Sequence, residues 1–91
     1  MRTYMIGYDL YRPGQNYDDL FEAIKSVANG WWHCLDSTWI VKSSLTPVQI
    51  RERLKPHLDS NDELLVALIG SPAAWTGFDK NCSDWLSNNL K

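Results

Sequence analysis

The stretch Thr3–Asp9, with the sequence TYMIGYD, decides the fold class. Its large side chains, Tyr4, Ile6 and Tyr8, stand at every second position, a period that is typical of a β-strand with one buried face. Gly7 carries no side chain and leaves space on the other face for a close approach. The stretch therefore predicts a first strand that ends at Asp9.

Two helices are predicted further along the chain. The first follows Asn16, a candidate N-cap, and its one-sided apolar stripe ends where Asn29-Gly30 stops the helix. The second opens at Thr46-Pro47. Thr46 and Gln49 fit a capping box, and proline suits the first helical position.

Three more strands are predicted from β-prone segments. Residues 31–35 (WWHCL) and 37–42 (STWIVK) are separated by little more than one residue and predict a hairpin. Residues 63–69 (ELLVALI) form a continuous apolar run, which predicts a strand that is buried on both faces. In the tail that follows, residues 81–90 are a candidate short helix.

The element order β-α-β-β-α-β places both helices on one face of the sheet. We therefore expect a single α+β domain over residues 1–91, with a ferredoxin-like core at 1–70, a four-stranded antiparallel sheet and a C-terminal extension at 71–91. Because the last strand is apolar on both sides, something must cover the second sheet face. The candidates are the C-terminal extension and a second subunit, and we expect both in a homodimer.

Composition limits the function classes. The net charge of −2 does not favour non-specific nucleic-acid binding, which draws on many basic contacts, so any such contact requires a local patch. No stretch is apolar enough to cross a bilayer, and Met1 is not followed by the apolar run of a signal peptide. Cys34 and Cys82 lack metal-site spacing and are interpreted as ordinary thiols in a reducing compartment. We expect a cytoplasmic protein that does not act at a membrane.

Two short motifs carry a family resemblance. The first strand ends in MIGYDL, which contains Asp9, and the third begins with Ser37 in STWIV. In these motifs and in element order the chain resembles the CRISPR-associated protein two family, the small adaptation subunit. Over nearly its whole length it looks closer to small bacterial and phage proteins of the SinR family, whose function is unsettled. The shared stretches are PGQNY, AIKS, WWHCLDSTWIV and AAWTGF. The virulence-associated protein D ribonucleases are more distant cousins.

The resemblance implies a dimer in which the strand-one Asp of each subunit, here Asp9, faces a shared cation. Some members of the family are metal-dependent nucleases, and others are structural platforms for DNA. The family's basic run after this Asp is mostly missing, since only Arg12 is basic in the segment that follows.

Asp9 is the candidate catalytic and metal-binding residue. Two such carboxylates facing each other would repel without a cation between them, and Mg²⁺ accepts oxygen ligands while keeping several waters. The alternative is a turn carboxylate that caps local N–H groups. Candidate substrate-binding residues are Tyr11, which could stack on a base, Arg12, which could hold a phosphate, and the hydroxyls of Ser37 and Thr38. For each, an ordinary loop or turn role is the alternative.

Two functional hypotheses remain open at the level of the sequence. One is a Mg²⁺-dependent endonuclease, such as an endoribonuclease, or a nucleic-acid-associated homodimer. The other is a non-catalytic dimeric module that binds a protein, a nucleic acid or a small nucleotide, in a phage–host conflict or toxin-type context. His33, among the tryptophans of the second strand, is expected to be a partly buried structural histidine.

Overall fold

The computed structural model of the chain describes residues 1–11 and 17–91. The elements, in chain order, are β1 (Arg2–Asp9), α1 (Asp18–Ser26), β2 (Gly30–Leu35), β3 (Thr38–Ser43), α2 (Pro47–Leu54) with a 3₁₀ turn at Lys55–His57, β4 (Glu63–Leu68) and α3 (Lys80–Asn89). The strands form one antiparallel sheet in the order β2-β3-β1-β4. The predicted α+β class and four-stranded sheet are confirmed, and the order of the strands is compatible with a ferredoxin-like fold.

The main core lies between the sheet and helices α1 and α2. β1 occupies a central position in the sheet, and its alternating residues Tyr4, Ile6 and Tyr8 are buried as the period of two predicts. Burying a large apolar side chain stabilises the fold by about 1.5–3 kcal/mol. The other buried residues of this core are Leu20, Ile24, Val27, Trp39, Val41, Ile50 and Leu54.

The capping box that the sequence predicts at the start of α2 is confirmed. The Thr46 side chain accepts a hydrogen bond from the Gln49 backbone N–H at 3.1 Å, and the Gln49 side chain accepts one from the Thr46 N–H at 2.9 Å. This reciprocal pairing satisfies donors that a helix start otherwise leaves free. Helix α1 begins at Asp18 after Tyr17. The predicted cap, Asn16, lies outside the described residues.

The C-terminal extension covers part of the second sheet face. Leu86 of α3 packs against Trp32 and Ile40 in a smaller core. The indole N–H of Trp32 donates to the Cys82 carbonyl at 3.1 Å, and the Thr3 hydroxyl donates to the Asn89 carbonyl at 3.2 Å. The expectation that the extension covers this face is confirmed, whereas the second subunit stays a prediction.

The interpretation of the cysteines as free thiols is wrong. Cys34 of β2 and Cys82 of α3 form a disulfide across the second sheet face, with their Cα atoms 6.4 Å apart. Sequence spacing could not show this pair, because the two residues are 48 positions apart and meet only when the extension folds back. The cytoplasmic location loses one of its arguments, since disulfides persist mainly in oxidising compartments.

Strand β4 differs from its sequence prediction. Leu64 and Val66 pack against the main core, but Leu65 and Leu68 are each 57% exposed. Both exposures follow from the position of β4 at the edge of the sheet. Leu65 lies on the second face, which the extension covers mainly at β2 and β3, whereas Leu68 lies at the end of the strand on the same face as Leu64 and Val66, opposite Tyr4. Continuous apolar character indicated burial on both sides, whereas each side of β4 keeps one exposed leucine.

Candidate functional site

Asp9 lies at the end of β1 beside a second carboxylate. Its Cα partner in the antiparallel ladder is Glu63, the first residue of β4, and both residues are exposed. Side chains at directly opposed positions share a face of the sheet, with Cβ atoms about 4.5–5.5 Å apart. One protomer therefore brings two carboxylates together without the help of a symmetry mate.

The Asp9–Glu63 pair borders an open pocket of about 460 Å³. Ser37 and Thr38 line the same pocket, so the structure brings together three of the residues that the sequence singled out. Gly7, the Cα partner of Thr38, explains the space between them, because nothing lies within 4 Å of the position that a side-chain Cβ would take there. A small polar ligand can approach the backbone at this point.

Tyr11 lies outside this pocket but touches its rim. Its hydroxyl donates to Glu63 Oε1 at 2.8 Å, and its backbone N–H donates to Asp62 Oδ1 at 2.9 Å. The hydrogen bond to Glu63 raises the pKa of the Tyr11 phenol above its ordinary value, and the negative charges of Glu63 and Asp9 raise it further. Tyr11 thus stays a protonated donor that holds the Glu63 carboxylate. Arg12, the predicted phosphate ligand, lies outside the described residues.

The charge around the pocket is negative. Asp9 and Glu63 are its charged lining residues, and the described residues that line it include no lysine or arginine. Residues 1–11 and 17–91 contain no group of three or more His, Cys, Asp or Glu side chains placed to hold a metal ion. Any cation here would have two carboxylates and would take its remaining ligands from water or a substrate.

Glu63 cannot be recognised as a site residue from its sequence context. It stands at the start of an apolar run, where a glutamate is unremarkable, and only the register of β1 against β4 puts it opposite Asp9. The available signal was the expectation that the first and last strands of this fold are neighbours, combined with Asp9 ending one strand and Glu63 opening the other.

Tyr8 and His33 have structural roles. Tyr8 is 7% exposed, and its hydroxyl accepts a hydrogen bond from the Trp39 indole N–H at 3.0 Å. The His33 ring stacks on Trp39 with ring centroids 3.9 Å apart, and its Nε2 lies 3.2 Å from the Asp36 carbonyl oxygen. The expected partly buried structural histidine is in place.

Comparisons with known proteins do not assign the chain to a family. No family model matches it, and no solved structure matches it significantly. Among residues 1–11 and 17–91, none of the helices has both the length and the apolar character needed to span a bilayer.

Proposed function

We propose that the chain is a divalent-cation-dependent nuclease, acting on RNA or DNA as a homodimer, in which Asp9 and Glu63 of each protomer hold the cation. The observation that carries this proposal is the cross-strand pair of Asp9 and Glu63 on the rim of the pocket that Ser37 and Thr38 also line. The resemblance to the adaptation subunit, which rests on Asp9 and the strand motifs, points to the same end of β1.

The donor set suits Mg²⁺ better than a softer metal. Both candidate ligands are carboxylates, and Mg²⁺ is commonly held by one or two carboxylates together with waters and substrate phosphates. The exposure of Asp9 and Glu63 leaves room for those other ligands. A cation bound there would polarise a phosphoryl oxygen and lower the pKa of a bound water.

The other residues of the site have supporting roles in this proposal. The hydroxyls of Ser37 and Thr38 donate hydrogen bonds to the phosphate of the substrate. Tyr11 positions Glu63 through its 2.8 Å hydrogen bond. Gly7 provides the open space in which the sugar–phosphate backbone approaches the sheet.

The negative charge of the pocket makes the binding of a phosphate depend on a cation. A phosphate approaching Asp9 and Glu63 is repelled until a cation neutralises the two carboxylates. Binding of nucleic acid, and not only its cleavage, should therefore depend on a divalent cation. This separates the proposed site from a basic surface, to which nucleic acid binds in the presence of a chelator.

The test is cleavage of end-labelled single-stranded and double-stranded RNA and DNA with Mg²⁺, Mn²⁺ or a chelator. We expect cation-dependent cleavage that falls by at least about 100-fold in Asp9→Asn, since this removes one of the two carboxylates that hold the cation acting on the phosphate. The matched control is Asp19→Asn, which removes the same charge from helix α1 on the other side of the sheet. Cleavage that is equal in Asp9→Asn and in the wild type would exclude the proposal.

A second candidate is a non-catalytic dimeric module that binds a protein, a nucleic acid or a small nucleotide. The observation that favours it is the absence of basic side chains among the described residues that line the pocket. It predicts saturable binding of a partner without turnover under any of the cations tested.

A further inference from the structure

A second hollow adjoins the pocket at Asp9. It has a volume of about 490 Å³, it is open to solvent, and Glu63 lines both spaces. The other residues that line it are Tyr11 and the turn before β4, namely Ser60, Asn61 and Asp62. We call this space the turn hollow. A ligand with one group in the pocket at Asp9 therefore reaches the turn hollow by extending past Glu63.

Tyr11 presents an aromatic ring to the turn hollow. The residue is 53% exposed, and among residues 1–11 and 17–91 no other aromatic ring packs against it. Its backbone N–H donates to Asp62 Oδ1 at 2.9 Å, and its hydroxyl donates to Glu63 Oε1 at 2.8 Å. Because the ring is held at both ends, a planar ligand that stacks on it costs little additional side-chain ordering.

The polar groups of the turn hollow suit the edge of a nucleobase better than a phosphate. Ser60 and Asn61 are exposed, and the Asn61 amide offers a donor and an acceptor, as does the Ser60 hydroxyl. Base edges present donors and acceptors of this kind. A phosphate would instead meet the carboxylates of Asp62 and Glu63, and the described residues that line the hollow include no lysine or arginine.

From these observations we infer that Tyr11, Ser60 and Asn61 form a nucleobase subsite, and that the substrate is single-stranded nucleic acid. The base stacks on Tyr11 while its phosphate lies in the pocket at Asp9, an arrangement that rests on the proposed function for its phosphate half. In a duplex, both faces of a base are covered by its neighbours and its pairing edge is in use. Only an unpaired base can lie on Tyr11.

The subsite is tested by comparing two ligands that share a phosphate and a sugar. Adenosine 5′-monophosphate and ribose 5-phosphate are titrated, with Mg²⁺, into the ¹⁵N-labelled full chain. We expect the nucleotide to bind at least about fivefold more tightly, because stacking of a base contributes that much or more. It should shift the amide signals of Tyr11 and residues 60–62, which ribose 5-phosphate leaves unchanged.

Substitutions at Tyr11 distinguish stacking from the positioning of Glu63. Tyr11→Phe keeps the ring and should keep the affinity ratio between the two ligands, whereas Tyr11→Ala should bring this ratio close to one. Trp31→Ala is the matched control, because Trp31 is a 44% exposed aromatic residue on the edge strand β2. Circular dichroism verifies that each variant is folded. Equal affinities of the two ligands for the wild type, or equal losses in Tyr11→Ala and Trp31→Ala, would overturn the inference.

The same titrations separate a failure of the subsite from a failure of the proposed function. If Asp9 and Glu63 bind no cation, the affinities of both ligands are independent of Mg²⁺, yet the nucleotide still binds more tightly. If the subsite is wrong, Mg²⁺ dependence remains and the affinity ratio is one.

Oligonucleotides test the substrate class. With Ca²⁺ in place of Mg²⁺ to slow cleavage, fluorescence anisotropy should show at least about fivefold tighter binding of a labelled single strand than of the blunt duplex of the same sequence. This preference should be lost in Tyr11→Ala and kept in Trp31→Ala. Equal or tighter binding of the duplex by the wild type would overturn the assignment to single strands.

Discussion

The side chains of Tyr8 and Trp39 form a hydrogen bond inside the main core. The Trp39 indole N–H donates to the Tyr8 hydroxyl at 3.0 Å, and that hydroxyl donates to the Asp36 carbonyl at 3.3 Å. Because Trp39 is 2% exposed, its N–H has no easy route to water. These hydrogen bonds join Tyr8 of β1 to Trp39 near the start of β3 and to Asp36 in the hairpin turn next to Ser37, and so support one wall of the candidate site.

Removing the Tyr8 hydroxyl should therefore be costly. Tyr8→Phe leaves the buried indole N–H without its acceptor, and an unsatisfied buried donor destabilises a fold by about 1–3 kcal/mol. The measurement is the free energy of unfolding from urea titrations. Tyr11→Phe serves as the control, since it removes an exposed hydroxyl and should change the free energy of unfolding much less than Tyr8→Phe does. Equal losses in the two variants would contradict the proposed role of Tyr8.

Tyr11 gives a pH-dependent prediction. Its pKa is raised first by the hydrogen bond to Glu63 and then by the charges of Glu63 and Asp9. A raised folded-state pKa means that this contact stabilises the fold below the ordinary tyrosine pKa and is lost as pH rises through the raised value. The hydrogen bond from Tyr11 to Glu63 is thus present at neutral pH and is lost in alkali.

Ultraviolet difference titration of the phenols measures this effect. Glu63→Gln should move the Tyr11 titration down towards the ordinary tyrosine value, because it removes the negative charge next to the phenol. Tyr11→Phe identifies which transition belongs to this residue. A wild-type Tyr11 that titrates at the same pH as in Glu63→Gln would show that the hydrogen bond does not form in solution.

Some residues of the candidate site can be predicted from the sequence alone. Asp9 is recognisable because it ends a strand with a clear period of two, and Ser37 and Thr38 because they stand where the turn of the hairpin meets its second strand. Glu63 is not recognisable in this way, since its role depends on the pairing register of β1 and β4. Local patterns identify residues at strand ends, but only the register decides which of them become neighbours.

Among the elements, α3 depends most on a single covalent link. Its apolar contacts with the sheet form a small cluster around Trp32, Ile40 and Leu86, and the Cys34–Cys82 disulfide fastens it there. The bond closes a long loop, with the two cysteines 48 positions apart. By the chain-entropy relation, a loop of this length corresponds to about 4 kcal/mol of stabilisation.

Replacing both cysteines by serine should lower the free energy of unfolding by about 2–4 kcal/mol. We also expect faster hydrogen exchange in residues 80–89 than in β1, because α3 then loses its covalent link to the sheet. Thiol titration of the unfolded wild type, before and after reduction, provides the control that the bond is present. Unchanged exchange in α3 would mean that the apolar cluster alone is sufficient.

The elements differ in how well the sequence predicts them. The capping box at Thr46 locates the start of α2, because its signal is local and complete within four residues. The apolar run of β4 locates that strand but gives the wrong burial for Leu65 and Leu68. The hydrophobicity of a residue indicates that its burial is favourable. Whether its strand lies at the edge of the sheet, where burial is incomplete, depends on the order of all four strands.

For the whole molecule, the order of helices and strands was sufficient to predict the sheet. Right-handed crossovers and short connections leave few alternatives once the order β-α-β-β-α-β is known. The need to cover the second face was also predictable, from the apolar character of β3 and β4. The disulfide that fastens the C-terminal extension to the sheet was not predictable, because it joins cysteines that are distant in sequence.

Binding of a divalent cation by Asp9 and Glu63 in each protomer is the step on which the proposed nuclease activity depends. Its most direct test is a titration of the ¹⁵N-labelled protein with Mn²⁺, whose unpaired electrons broaden the amide signals of nearby residues. We predict selective broadening at residues 7–9, 37–38 and 63–65, which disappears in Asp9→Asn and persists in Asp19→Asn. Broadening that is centred elsewhere, or that is the same in Asp9→Asn, would contradict the claim.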